Sequence, residues 1–535
     1  MATHLSILDL NQDVLNDILE ELHAQKCLIQ LAMTCQIIRG AANHTLFRRC
    51  RVAFSGPIAA RRFPPDSLWR YIRHLLLVEE RPDADVLRGN YPRIEHPTLC
   101  GYVVSDLFYC ALRRMPLLSK ISISTSVRIY HGLPWPCVQA ILAVPQLQEL
   151  RISQYLLCTL GATRAQELDM DVAPLTSFTY WLDISRGDPR SHPAEREALG
   201  ILLPKLSRTL QKLELPIESL PQEIVRYTRW PHLRHLSVYG EASPQPKDPY
   251  IVILGNMPQL RSLALTFTIK HEMSTPVIWP SGLTMECPWP DLENLTIMHP
   301  HLEDQIYRRL PSTLNRLLLC SPLYHYDFIW GRGGVISERW LQGPLLTASQ
   351  TLRLLSRCQT PDLTELAIEF HEDNEEFELL DFLPHAFPRL TSLTANIYRS
   401  PKDHAKIPVA KIARALTPLC RLETLRMYPG FRPASAPQPF IPIPHFGPFR
   451  ENREVVRLDR VRDRAAQTIA NTLGPSLRTI FLLHPSQPPS FYWMEYHVVP
   501  APYGRAVEDH RGLGRGYHLK YARGVLLAAP QLGGL

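Results

Sequence analysis

A short apolar frame recurs along this chain and constrains its fold more than any other feature. The frame is L-x-x-L-x-φ, in which φ is an apolar residue, and one copy reads PQLQELRI over residues 145–152. Eight copies carry a proline two residues before the first apolar position, and five keep the frame without it. The thirteen frames begin at residues 72, 118, 147, 175, 210, 233, 260, 292, 314, 363, 390, 422 and 477.

Successive frames stand 22 to 35 residues apart, apart from three longer gaps, and this period is typical of leucine-rich repeats. The second and third apolar residues of a frame should point inward from a short strand, and the polar residues between them outward. One repeat cannot bury this stripe, whereas stacked neighbours can. The predicted fold class is therefore α/β: a leucine-rich-repeat solenoid over 69–485, with a parallel concave sheet and helices on the convex face.

The segments between frames show the spacing of amphipathic helices. Apolar residues recur at steps of three and four over 458–473, which predicts a helix at about 451–473, and a similar pattern at 107–115 precedes the second frame. A helix or a degenerate extra repeat is predicted near 337–357. The Pro-rich segment 428–449 is interpreted as an insertion into the solenoid.

An aromatic run, FYWMEY, follows the last frame at 491–496. The ends of a repeat array must be covered, so we interpret this run as a cap on the exposed end of the sheet. The alternative is that it forms part of a binding surface. Residues 486–535 are accordingly predicted to form a C-terminal cap and tail.

Composition places the chain among globular proteins, because 45% of its residues are hydrophobic and 20% are charged, which excludes wholesale disorder. The 11 cysteines include no Cys-x-x-Cys pair, and the N-terminus resembles no secretory signal, so we expect reduced thiols. The sequence contains no apolar run long enough to cross a membrane. We therefore expect a protein of the cytoplasm, the nucleus or both, with no membrane partner.

The sequence lacks the common motifs of catalysis. The sequence has no phosphate-binding loop, no nucleophile elbow, no His-Glu-x-x-His and no zinc-type spacing of cysteine and histidine. We interpret GRGG at 331–334 as a loop, and the pair His299 and His301 as a surface turn rather than a metal site. The prediction is a protein that is not an enzyme and that uses no cofactor or metal.

Arginine is concentrated in residues 39–114, which hold 13 arginines, no lysine and seven acidic residues. Phosphate backbones bind such basic regions, so nucleic-acid binding by 39–114 is one hypothesis. The acidic residues interrupt the run, however. A partly ion-paired basic collar at the start of the repeat array is the favoured interpretation, and we do not expect nucleic acid as a partner.

The first fifty residues differ from the rest. Apolar residues lie on one face of a predicted helix near 10–22, and others follow on a second short helix near 28–35. Two or three small helices are marginally stable alone, so part of this apolar surface should dock on a partner or on the array. A simple N-terminal cap for the array is the alternative.

Three segments of this region, LNQDVLNDIL at 10–19, LAMTC at 31–35 and LFRRC at 46–50, resemble an F-box. The whole layout is similar to that of fungal F-box proteins with leucine-rich repeats. In that family the F-box binds the Skp-family adaptor of a cullin-RING ubiquitin ligase, and the repeats capture the protein to be ubiquitinated. The family usually has proline where this chain has Asn11, but asparagine is itself a good helix N-cap.

The resemblance implies an adaptor interface drawn from a set of apolar residues, some of which must instead pack inside the helices: Leu10, Val14, Leu15, Ile18, Leu19, Leu28, Leu31, Ala32, Cys35 and Ile38. Outward residues between the framework leucines are the candidates for target binding: Gln148, Arg151, His235, Ser237, Arg261, Ser262, Asn294, Thr296, Glu365 and Ala367. The predicted domains are an F-box-like helical domain at 1–50, a linker at 51–68, the solenoid at 69–485, and the cap and tail.

Three functions therefore follow as hypotheses. The first is a non-catalytic substrate receptor of a Skp-cullin-F-box ubiquitin ligase. The second is a repeat scaffold for protein interactions that joins no ligase. The third is a nucleic-acid-binding protein that uses the arginine-rich region.

Overall fold

A computed structural model describes most of the 535-residue chain. The described residues are 10–54, 63–79, 106–125, 131–157, 172–182, 192–241, 246–269, 275–320, 345–399, 407–430, 453–485, 491–501 and 504–509. The chain divides into two compact units, of which the first is Met1–Ser237 with Ile253–Pro258. The second unit is Val238–Val252 with Gln259–Leu535.

The first unit begins with three short helices. They are α1 (Gln12–Ala24), α2 (Leu28–Ala32) and α3 (Gln36–Leu46). Asn11 is the N-cap of α1, and its side chain accepts a hydrogen bond from the backbone N–H of Asp13 at 3.0 Å. The asparagine that departs from the family pattern therefore starts the helix, as predicted.

Parallel strands follow the helices in the first unit, in the order β1-β2-β3-β5-β7-β8. Their bounds are β1 Arg49–Phe54, β2 His74–Glu79, β3 Lys120–Thr125, β5 Glu149–Ser153, β7 Ser177–Trp181 and β8 Lys212–Pro216. Two further strands, β4 (His131–Leu133) and β6 (Tyr155–Leu157), pair with each other as a separate small sheet. The next strand, β9 (His235–Glu241), contains the boundary between the two units.

The second unit repeats the same plan, with seven parallel strands in sequence order from β10 to β16. Their bounds are β10 Ser262–Thr268, β11 Asn294–Ile297, β12 Arg316–Leu319, β13 Glu365–His371, β14 Ser392–Tyr398, β15 Thr424–Tyr428 and β16 Thr479–Pro485. Two antiparallel strands, β17 (Phe491–Ala501) and β18 (Gly504–Asp509), then pair beyond β16.

Helices occupy the segments between many of the strands. In chain order they are α4 Asp106–Arg113, α5 Trp135–Leu142, α6 His192–Leu206, α7 Gln222–Tyr227, α8 Tyr250–Ile253, α9 Ala348–Leu355, α10 Glu376–Ala386, α11 Val409–Ala415 and α12 Arg453–Thr472. Short 3-10 helices lie at Asp66–Tyr71, Ile217–Ser219 and Gln305–Arg308. The predicted helix at about 451–473 corresponds to α12, and the one at 107–115 to α4.

All thirteen predicted frames coincide with strands of the repeats. Every one of their apolar positions is at most 4% exposed, from Ile72 in the first frame to Leu482 in the last. The burial alternates as expected for strands, for example in β2, where Leu75 and Leu77 are completely buried. The predicted α/β fold class, a leucine-rich-repeat solenoid preceded by a small helical segment, is confirmed.

The structure also differs from the sequence-based expectations. Strand β1 was not predicted; it follows α3 after a short turn and pairs with β2, so the segment 51–68 contributes a strand where a linker was expected. His299 is 7% exposed although a surface turn was expected there. The run at 491–496 belongs to β17, which covers the edge of β16 as predicted for a cap. The loop at 331–334 and most of the insertion at 428–449 lie outside the described residues.

Candidate functional site

The three N-terminal helices expose several large apolar side chains to solvent. The exposed fractions are 46% for Val14, 61% for Ile29, 72% for Met33 and 67% for Ile37. We call these four residues the apolar helical surface. In the described part of the chain, the other large apolar side chains exposed to a comparable degree are Leu117, Tyr227 and Val461. Exposed apolar residues concentrated in one segment are typical of a docking surface.

The ten residues predicted for the adaptor interface fall into two groups in the structure. Five are buried: Leu15, Leu19, Leu28, Ala32 and Ile38. The first four of these form the shared core of the helices together with Ala42. Leu31 is half-buried against that core. Leu10, Ile18 and Cys35 are also half-buried, and Val14 alone of the ten is exposed. Half of the ten residues, Leu15, Leu19, Leu28, Leu31 and Ala32, therefore belong to the packing between the helices or lie against it.

Sequence reasoning missed Ile29, Met33 and Ile37. The three residues are spaced four apart, which is one helical turn per step, but the spacing crosses the break between α2 and α3. A helical wheel of α2 would have separated Ile29 from buried Leu28 and Ala32. The wheel alone could not show which side faces the other helices, because five residues present too short a stripe.

A second feature is a cleft between the helices and the sheet of the first unit. Its volume is about 500 Å³. Four cationic residues line it together with two acidic residues, two histidines and three small residues: Arg48, Arg49, Arg73, Lys120, Glu20, Glu149, His23, His74, Ala24, Thr45 and Ser119. We call it the cationic cleft.

The helices are held beside this cleft by specific contacts. Arg48 forms an ion pair with Glu20 of α1 at 3.2 Å. The ring of His44 in α3 packs edge-on against the ring of Tyr71, with 4.7 Å between the ring centroids. Because α3 continues after a short turn into β1, the first strand of the sheet brings Arg49 into the lining of the cleft.

Strand register brings the remaining cleft residues together. Arg49 of β1 stands opposite His74 of β2, which stands opposite Lys120 of β3, and Lys120 stands opposite Glu149 of β5. Neighbouring strands are about 4.8 Å apart, so this row of four residues spans about 14 Å. Lys120 and Glu149 form an ion pair at 2.5 Å.

The pKa of His74 reflects the positive charges of the row. Burial, and after it the positive charges of Lys120 and Arg49, lower the pKa of its imidazole to about 4, against a smaller opposite effect of Glu149. The imidazole is therefore neutral at pH 7. Its Nε2 lies 3.0 Å from the hydroxyl of Ser122.

The row continues along the outward face of the sheet. A second cleft of about 480 Å³ shares Arg49, His74, Lys120 and Glu149 with the first and extends to β8. Six of its lining residues carry hydroxyl groups: Ser122, Ser124, Thr125, Ser153, Ser177 and Thr179. The outward face of the first unit is thus polar next to its cationic end.

The ten residues predicted to bind a target are distributed over both units. Gln148, Arg151 and Arg261 are exposed. Five are half-buried, namely His235, Ser237, Asn294, Thr296 and Glu365. Ser262 and Ala367 are buried, because small side chains on a strand lie below their larger neighbours. Arg151 is the one of the ten that lines either cleft.

The described residues also bear on metal sites and on membrane spans. No group of three or more histidine, cysteine, aspartate or glutamate side chains there could hold a metal ion. No helix in the described part of the molecule is both long and apolar enough to traverse a lipid bilayer.

Comparison with known proteins gives no functional match. No protein-family model matches the chain, and neither does any curated protein. Among solved structures, it is similar to the leucine-rich-repeat-containing protein LegL7 from Legionella pneumophila, at 10% identity and a TM-score of 0.29, over 71% of this chain and 90% of that one.

Two further solved structures are similar at the same low level. A leucine-rich-repeat protein of Leptospira interrogans has 13% identity and a TM-score of 0.28, over 73% of this chain and 92% of its own. CroV588, a circular leucine-rich-repeat protein, has 12% identity and a TM-score of 0.19, over 70% of this chain and 59% of its own. The repeat architecture is established by the strand order and the buried frames of the chain itself.

Proposed function

We propose that this protein is a non-catalytic substrate receptor of a Skp-cullin-F-box ubiquitin ligase, acting in the cytoplasm, the nucleus or both. Its three N-terminal helices bind the Skp-family adaptor, and its repeats bind a protein target. Ubiquitination of the target is then accelerated by proximity to the charged enzyme and not by groups on this chain.

The observation that carries this proposal is the apolar helical surface. Ile29, Met33 and Ile37 are each more than half exposed, although other apolar residues of the same three helices pack into a shared core. Burying one such side chain against a partner contributes about 1.5 to 3 kcal/mol. A segment with this much exposed apolar area is better suited to binding another protein than to capping a sheet.

The resemblance to an F-box supplies the identity of the partner. The buried residues Leu15, Leu19 and Leu28 keep the three helices in a fixed arrangement, and the exposed ones are then presented to solvent. The position of Asn11 as N-cap of α1 removes one objection to the resemblance, because the helix starts without the usual proline.

Adaptor capture tests the proposal. The full chain is mixed with a purified Skp-family adaptor, and the retained complex is quantified for the wild type and for the double variant Ile29→Glu/Met33→Glu. Two buried carboxylates without partners would strongly weaken the complex. The matched control is Val461→Glu, which places the same charge on an exposed apolar residue of α12.

The proposal requires that the wild type and Val461→Glu bind the adaptor and that the double variant does not. Circular dichroism of the three proteins should agree, because all three positions are exposed. A wild-type chain that fails to bind the adaptor rejects the ligase role and leaves the repeat scaffold and nucleic-acid binding as the alternatives.

A further inference from the structure

We infer that the cationic cleft and the adjoining sheet face of the first unit bind a carboxylate-rich segment of a protein target. This inference rests on the proposed function, because it names the chemistry of the target that the repeats would hold. The segment would lie across the strands in an extended conformation, with aspartate or glutamate side chains over the cationic row.

Charge is the first reason. The cleft holds four cationic side chains, those of three arginines and one lysine, against the two carboxylates of Glu20 and Glu149, which leaves an excess of two positive charges without counting its histidines. Both carboxylates are already engaged, Glu20 by Arg48 and Glu149 by Lys120. Within the described part of the chain, Arg49 and Arg73 form no ion pair, and both are exposed. They are therefore available to carboxylates of a ligand.

Dimensions are the second reason. The row from Arg49 to Glu149 spans about 14 Å, the length of about four residues of an extended peptide. The adjoining face continues to Lys212 of β8, which adds a further cationic residue at the far end. An acidic segment of several residues thus finds cations at both ends of the face and hydroxyl donors between them.

Surface chemistry favours a peptide over single-stranded nucleic acid. Proteins that bind single strands combine cations with aromatic side chains on which bases stack. Along the second cleft six residues carry hydroxyl groups, whereas Trp181 is the one large aromatic residue among those that line it. Hydroxyl groups serve as donors to carboxylates and to peptide carbonyl groups.

Fluorescence anisotropy on the full chain tests the inference. The probes are a labelled oligoglutamate peptide, an oligolysine peptide of equal length and a single-stranded oligothymidine. The test variant is Arg49→Gln/Arg73→Gln. The matched control is Arg421→Gln/Arg478→Gln, which removes the same charge from exposed residues of the second unit, and Arg478 precedes its strand just as Arg73 precedes β2.

The inference predicts that oligoglutamate binds the wild type and the control double variant equally, and that the Arg49/Arg73 variant binds it roughly tenfold more weakly at low salt. Oligolysine should not bind at the cleft. Bound carboxylates would also offset the positive field of the row, so the pKa of His74 should rise from about 4 when the peptide is added. A change of fold alone would not produce this ligand-dependent shift.

Three results would overturn the inference: no binding of oligoglutamate, equal loss in both double variants, or tighter binding of oligothymidine than of oligoglutamate. The last result would favour a nucleic-acid-binding role. Adaptor capture is measured separately with the same Arg49→Gln/Arg73→Gln protein, which should bind the adaptor normally. If oligoglutamate does not bind but the adaptor is captured, the cleft is rejected as a binding site and the ligase role is retained. If oligoglutamate binds but the adaptor is not captured, the ligase role is rejected and the cleft is retained.

Discussion

Leu19 is completely buried between the N-terminal helices, whereas Ile29, ten residues further on, exposes 61% of its area. Both are branched apolar residues in amphipathic helices, and both fit the pattern of a docking segment. What separates them is the packing of α1 and α2 on α3, which buries one face of each helix. At the scale of single residues, the structure therefore separates one apolar set into members that form the core and members that are exposed and available for contact with a partner.

Leu19→Ala is expected to destabilise the helical segment by about 3 kcal/mol, because the substitution leaves a cavity in a small core. Ile29→Ala should change stability by less than about 0.5 kcal/mol, as is usual for an exposed position. Hydrogen exchange of the amides in 12–46 measures both. Equal loss of protection in the two variants would show that Ile29 belongs to the core.

His74 provides a second prediction at this scale. Lys120→Gln removes one of the two positive charges that lower the pKa of His74, so that pKa should rise from about 4 toward 6.5, short of it because burial remains. Histidine-selective NMR titration measures the change. An unaltered pKa would mean that the charge of Lys120 does not reach the imidazole.

The same histidine links stability to acidity. Its pKa is lower in the folded than in the unfolded chain, so the unfolded chain takes up a proton first as the pH falls. Stability of the first unit should therefore decrease between about pH 6.5 and about pH 4 through this group. The decrease should be smaller in the Lys120→Gln variant, and denaturant titration at several pH values measures it. An equal loss of stability in the wild type and the variant over this pH range would contradict the prediction.

At the scale of elements, the strands of the repeats could be predicted and the binding surfaces could not. Each frame carries its own signal, since three apolar positions at fixed spacing suffice to define a buried strand face. Strand β1 has the sequence RCRVAF, in which Val52 is buried. This sequence lacks the leucine frame of the other strands, so the frame does not predict it. The repeat pattern is local, and β1 is recognisable only from its pairing with β2.

The cationic row depends on register in the same way. Arg49, His74 and Lys120 lie 25 and 46 residues apart along the chain and become neighbours only when β1, β2 and β3 align. Composition identified an arginine-rich region, but Lys120 stands outside it. The sequence therefore indicated an excess of positive charge in this region, but it did not indicate which residues would come together in the cationic row.

Asp304 offers a test of how connecting segments are held. Its buried carboxylate accepts hydrogen bonds from the backbone N–H groups of Ile278, Trp279 and Ile306, at 2.6, 3.0 and 3.0 Å. Asp304→Ala would leave these donors without an acceptor and should destabilise the second unit by about 3 kcal/mol or more. Exchange of the amides at 275–280 should accelerate most, and unchanged exchange there would contradict the assigned role.

At the scale of the whole molecule, each unit is a stack in which a repeat contacts its neighbours in sequence. Stability in such a stack is close to a sum of repeat and interface contributions, so a defect in one repeat should spread to the adjacent ones and fade beyond them.

Leu393→Ala in β14 tests this property. The side chain is completely buried in register with Leu366 of β13 and Leu425 of β15, so its truncation should cost about 2 to 5 kcal/mol. Hydrogen exchange should increase in β13, β14 and β15 and remain unchanged in residues 12–46. Uniform loss of protection over the chain would instead indicate a single cooperative unit.

The proposal that the N-terminal helices dock on an adaptor is tested most directly by hydrogen exchange of the full chain with and without a Skp-family adaptor. Binding through the apolar helical surface should slow exchange of amides within 27–37, which hold Ile29, Met33 and Ile37, and leave the strands of the second unit unaffected. Exchange at 27–37 that is identical with and without saturating adaptor would contradict the account.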